Sequence, residues 1–152
     1  MVRAKKIKRK VGDVLAIKLE DGRFSFGRVL EEPLIAFYDC KSVDKLRLEE
    51  IVSKPVIFKV WVMNSAVESG RWEVLGNEPL DQGLEEIPKF FKQSPLNKKF
   101  SIYYQGVEIP STKEECQELE RAAVWDPEHV EDRLRDHYES VPNQWVESLK
   151  AQ

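Results

Sequence analysis

The sequence predicts an α+β fold: a strongly curved antiparallel β-sheet over residues ~11–109, followed by C-terminal helices packed on it. Three observations predict it. Apolar residues recur at every second position through the first two-thirds of the chain, Pro110 marks a change of pattern, and the spacing beyond it is helical. The 152 residues are the length of one ordinary domain. The expected division is a basic flexible arm at 1–10 and a single α+β domain at 11–152, β-rich over 11–109 and helical over 111–150.

The first strand runs from Val11 to Leu19, with Leu15, Ile17 and Leu19 on one face and Val14 and Ala16 on the other. The second runs from Arg23 to Leu30. Glu20-Asp21-Gly22 joins them as a hairpin, because Gly22 can take the positive φ that a tight turn requires. Gly27 inside the second strand signals a bulge, a bend or a close backbone approach. Leu34 to Tyr38 is a third strand, entered through Pro33, and residues 44–52 fit a helical turn and a strand equally. Pro55 to Met63 carries apolar residues on both faces and reads as a central strand covered on both sides. Asn64 to Gly70 is a loop or one helical turn. Arg71 to Leu75 is a strand stopped by Gly76-Asn77. Glu78 to Leu96, with Pro79, Pro88 and Pro95, reads as mainly irregular, and Lys99–Tyr104 with Val107–Ile109 form a second hairpin around Gln105-Gly106.

Beyond Pro110, Ser111-x-x-Glu114 has the spacing of a capping box, and Cys116, Leu119 and Ala123 follow at helical intervals. Asp126-Pro127 opens a second helix, with Asp as N-cap and Pro at the first helical position, where its missing N–H costs nothing. Val130 and Leu134 line its inner face. Pro142-Asn143 opens a third, short helix that buries Trp145, Val146 and Leu149.

Composition narrows the class. Apolar residues make up 41% of the chain, too many for a disordered one, and no run approaches the roughly 18 apolar residues of a membrane span. The N-terminus has charge without the apolar stretch of a signal peptide, so a cytoplasmic location is expected, with Cys40 and Cys116 as reduced thiols. The net charge of −3 is unevenly laid out. Residues 1–10 carry six basic groups and no acid, residues 11–110 carry 13 basic against 16 acidic, and residues 111–152 carry 5 against 11. A basic arm thus precedes an acidic body of net charge −9, which attracts basic partners and repels polyanions.

Candidate chemistry is sparse, and no catalytic, metal or cofactor site is expected. His129 and His137 are eight residues apart on one helix, about 80° apart around its axis, where a helical metal pair wants i,i+4. Cys116 falls on an apolar stripe, and nothing near Cys40 in sequence would lower its thiol pKa. A hydrolase built on Cys40 or His137 is a third reading. No P-loop, G-x-G-x-x-G or G-x-S-x-G occurs.

Two surfaces are candidates for binding. On the second helix Glu128, Asp132 and Glu139 project about 160–200° from Val130, joined by Arg135 and bordered by Asp136. This acidic face could steer a basic surface toward itself; a merely solvated face is the competing reading. Phe91, in the Phe90-Phe91 pair between two prolines, offers a partner an anchor if its ring is exposed, and a plug under a loop if it is not. The alternative is nucleic-acid contact through Arg3, Lys5, Lys6, Lys8, Arg9 and Lys10. The acidic body argues against nucleic acid, and no membrane partner is expected.

Three segments are similar to a known family: Val11-Gly-Asp-Val-Leu-Ala-Ile-Lys-Leu19, Asp21-Gly-Arg-Phe-Ser-Phe-Gly-Arg-Val29 and Pro33-Leu-Ile-Ala-Phe-Tyr-Asp39. Together with Pro55–Val62, Trp72–Gly76, Pro79-Leu80 and Pro88 they resemble the immunity protein 26 family of bacterial polymorphic toxin systems, over roughly residues 11–104. The resemblance implies a mainly β, non-enzymatic protein that protects its producing cell by binding a cognate toxin and occluding it. The acidic body adds the expectation that the toxin is a basic nuclease domain. The arm and residues 111–152 lie outside the resemblance.

Overall fold

The computed structural model describes residues 6–152. The leading hairpin forms as expected. β1 (Asp13–Lys18) pairs antiparallel with β2 (Phe24–Val29), from Val14 opposite Arg28 to Lys18 opposite Phe24. Gly22 takes φ +85° in the connecting turn. At Gly27 a Cβ would stand 3.2 Å from the Ala36 carbonyl oxygen, so this glycine marks a close backbone approach.

β3 (Leu34–Tyr38) pairs with β2, and after helix α1 (Leu48–Val52) the chain enters β4 (Val56–Val62), antiparallel to β3. Helix α2 (Ser65–Glu68) leads to β5 (Glu73–Asn77), which pairs with the outer side of β1. Helix α3 (Gln82–Glu85) then carries the chain to a second sheet of β6 (Phe90–Gln93), β7 (Phe100–Tyr104) and β8 (Val107–Ser111). After helix α4 (Lys113–Cys116) come two-residue strands. β9 (Glu120–Arg121) adds parallel to β6, and β10 (Val124–Trp125) adds parallel to β4. Helices α5 (Pro127–Glu139) and α6 (Gln144–Leu149) follow. The sheet orders are β10-β4-β3-β2-β1-β5 and β8-β7-β6-β9.

This corrects the expected architecture. In place of one strongly curved antiparallel sheet with helices after it, there are two mixed sheets with helices interspersed among their strands. The physical reason lies in β1 and β3, which bury residues on both faces. A sheet apolar on both sides needs cover on both. Leu15, Ile17, Phe37 and Trp72 pack with Val130 and Leu134 of α5 on one face. On the other, Val14, Ala16, Phe26 and Tyr38 pack with Ile51 of α1, while Leu34 and Ala36 pack with Leu84 of α3 and Phe90 of β6. The second sheet is therefore part of that cover.

The helix expected through Cys116, Leu119 and Ala123 ends after one turn. Its cap is Thr112, whose hydroxyl accepts from the Glu115 N–H at 3.2 Å, one residue later than the expected Ser111. The two helices after it start where expected, with Asp126 and Asn143 as N-caps.

Candidate protein-docking face

Helix α5 lies across the first sheet and is fixed at both ends of its inner face. Near its C-terminus the Tyr138 hydroxyl stands 2.7 Å from Ser25 Oγ, 3.1 Å from the Tyr38 carbonyl and 2.9 Å from the Cys40 carbonyl. It also accepts from the Cys40 N–H at 3.1 Å. Nearer its start, Glu131 receives Arg71 in a two-pronged pair of 2.7 and 2.8 Å and the Trp72 indole N–H at 2.9 Å. That pairing raises the Arg71 pKa.

The outward face is more divided than the helical spacing implies. The Glu128 side chain is 72% exposed, with its nearest cation, Arg71, at 3.9 Å. Glu139 is exposed and makes no ion pair among the described residues. Asp132 is half-buried: it accepts from the Trp145 indole N–H at 3.0 Å and from Arg135 at 3.3 Å. Asp136 is buried, taking the Asn143 amide at 2.9 Å and Arg135 at 3.1 Å. The side-chain bond to Asp136 raises the Arg135 pKa. Asp136 thus anchors α6 and is withdrawn from the surface. The covering layer is α6 itself, whose Trp145 stacks on His129 with ring centroids 3.6 Å apart.

Sequence spacing missed three neighbours of this face. Glu20 of the hairpin turn, Arg71 and Glu131 come together with Glu128, Asp132 and Arg135 around a groove of about 420 Å³. Glu20 reaches Arg135 at 3.5 Å, 115 residues away in the chain. No local signal joins those positions; only the tertiary fold does.

Phe91 is 1% exposed and so offers no anchor: of its two readings the buried one holds, which corrects its choice as a partner contact. It sits in β6 opposite Ile102 with the Arg121 guanidinium 4.8 Å from its ring centre. Of the basic arm, Arg3 and Lys5 lie outside the described residues. Lys6 pairs with Glu68 at 3.3 Å, and Arg9 donates to the carbonyls of Leu30 at 2.8 Å and Leu34 at 2.6 Å. Lys8 and Lys10 are exposed.

The thiol candidates are both buried, and burial pushes the Cys40 thiol up, away from a reactive thiolate. His137 pairs with Asp39 at 3.0 Å. Among the described residues, no three or more His, Cys, Asp or Glu are arranged to hold a metal ion. No helix among them is long and apolar enough to cross a membrane.

The segments that carry the family resemblance meet in space. Arg28 is buried and donates to the carbonyls of Gly12, Glu78 and Pro79 and to the Tyr38 hydroxyl. The family model described as Immunity protein 26 matches residues 10–102. The chain belongs to the immunity protein 26 family. Membership assigns it a general protein-binding, neutralising role toward a toxin. No curated protein and no solved structure matches the chain. The family match ends within β7, so α5 and α6 lie beyond it while Glu20 and Arg71 lie inside it.

Proposed function

We propose that this immunity protein neutralises a cognate bacterial toxin by occlusion, docking the acidic face of α5 onto a basic active-site cleft such as that of a nuclease. The family membership carries the neutralising role. The exposed carboxylates of Glu20, Glu128 and Glu139 support the choice of surface. Glu128 and Glu139 stand on the outer side of a helix whose inner side is fixed, and Glu20 adjoins them from the hairpin turn. Exposed charges of one sign raise the capture rate of an oppositely charged surface, and screening by salt weakens that gain. Partner contacts are proposed for Glu128, Asp132, Arg135 and Glu139. Asp136 holds α6 in place instead.

The test is association kinetics with the cognate toxin domain. Glu128→Lys with Glu139→Lys should slow association by about tenfold at low salt and flatten its salt dependence. Unchanged on-rates would clear α5 of the role. Asp132→Lys is a poorer probe, because it also breaks the bond to Trp145.

A further inference from the structure

A second cleft, of about 490 Å³, opens where the two sheets meet. Its floor is aromatic: Trp61 of β4 lies 4.6 Å from Phe90 of β6 and edge-on to Tyr103 of β7 at 5.6 Å, between ring centres. Its rim is the turn from Glu31 through Pro33, closed by the Leu34 N–H on the Glu31 carbonyl at 2.7 Å, which holds Glu31 and Glu32 at the mouth. Both carboxylates are exposed, and among the described residues no Lys or Arg lines the cleft. The α5 groove differs, because its carboxylates are interleaved with Lys18, Arg71 and Arg135. Of the neighbouring cations, Arg9 is held by the Leu30 and Leu34 carbonyls and attracts Glu32 from behind the turn, and Lys92 is paired with Glu108 at 3.1 Å. Lys92, outside the cleft, also lies 4.7 Å from the Tyr103 ring centre, so beside the cleft the chain already sets a cation against a ring and a carboxylate.

We infer that this cleft receives an arginine side chain of the toxin, with the guanidinium against Trp61 and paired with Glu31 and Glu32. An aromatic floor beneath carboxylates that form no salt bridge among the described residues suits a planar cation that stacks and pairs its charge at once. The apolar floor takes the methylene stem, and the rim takes the charge. The identity of the donor as the toxin rests on the proposed neutralising role; the chemistry of the cleft does not. Apart from Tyr103 and the turn after it, the cleft lies within the family match, unlike α5.

The test uses the full chain alone, titrated with N-acetyl-arginine amide and followed by the NMR signal of the Trp61 indole N–H, assigned with Trp61→Phe. The expected result is a saturable shift with a dissociation constant on the order of 10 mM. The neutral isostere N-acetyl-citrulline amide should give none. Glu31→Gln with Glu32→Gln, which keeps the Glu32 acceptor for Asn64, should weaken the arginine probe by about fivefold or more. An unsaturable shift, equal binding of the citrulline probe, or an unchanged constant in the double variant would overturn the assignment. Because no toxin is present, that failure would leave the neutralising role standing. A toxin that fails to bind would leave the cleft's result intact.

Discussion

The Arg28 side chain reaches back sixteen residues to the Gly12 carbonyl, Nε to O 2.9 Å, and ties the second strand to the entry of the first. Its other nitrogens hold the Tyr38 hydroxyl and the carbonyls of Glu78 and Pro79. The Gly12 N–H in turn donates to Val29 at 2.8 Å, and the Glu78 N–H to Gly12 at 3.1 Å. The G-D and G-R-V pieces of the family resemblance are thus one structural staple.

Arg28→Met is expected to cost about 3–5 kcal/mol, because it removes a buried charged donor from the Gly12, Glu78 and Pro79 carbonyls and from the Tyr38 hydroxyl at once. That is a large part of the stability of a typical domain. Urea unfolding monitored by tryptophan fluorescence checks it; a midpoint within error of the parent would refute the staple.

Gly12→Ala should be nearly as damaging. Gly12 has φ +94°, and an added Cβ would stand 2.6 Å from the Glu78 carbonyl oxygen. Strain and clash together are expected to cost about 2–4 kcal/mol. Gly22→Ala is the control: it has φ +85° but open space around it, so it should lose only the conformational part, about 1 kcal/mol.

Tyr138→Phe removes the hydroxyl that meets Ser25, Tyr38 and Cys40. The expected loss is about 1–3 kcal/mol, with hydrogen exchange rising first in α5 and at Cys40. Exchange that rises uniformly would show that α5 and the sheet unfold as one unit.

Stability should fall on the alkaline side. Burial raises the pKa of Cys40 and of Tyr38 and Tyr138. A raised folded pKa means that the native state holds its proton more tightly than the unfolded chain. The contribution is therefore complete below the unfolded values, about 8.5 for Cys and 10 for Tyr, and is lost as pH rises through the folded ones. Denaturation midpoints at pH 7, 9 and 10.5 should decline in that order, and native thiols should resist iodoacetamide at pH 8. A midpoint that rises across this window would contradict the burial argument.

The first three strands were legible because their alternation and Gly22 act locally. β6 was hidden: Phe90-Phe91 between Pro88 and Pro95 looks irregular, and its burial depends on Trp61, Ile102 and Arg121 from elsewhere in the chain. β9 and β10 have two residues each, too few for any period to register. On α5, helical geometry placed Glu128 and Glu139 outward correctly. It could not foresee that Asn143 and Trp145 would cover Asp136 and Asp132, because α6 folds back over them. The arm shows the same limit. Its charges were countable, yet the engagement of Arg9 with Leu30 and Leu34 depends on the β2–β3 turn.

The most direct measurement is a titration of this protein into its cognate toxin domain, with toxin activity and complex mass followed together. Activity should fall to zero at stoichiometric addition, in step with the complex, and glutamate-to-lysine changes at positions 128 and 139 should delay the fall. A complex that forms while the toxin remains fully active, or no complex at all, would contradict neutralisation by occlusion.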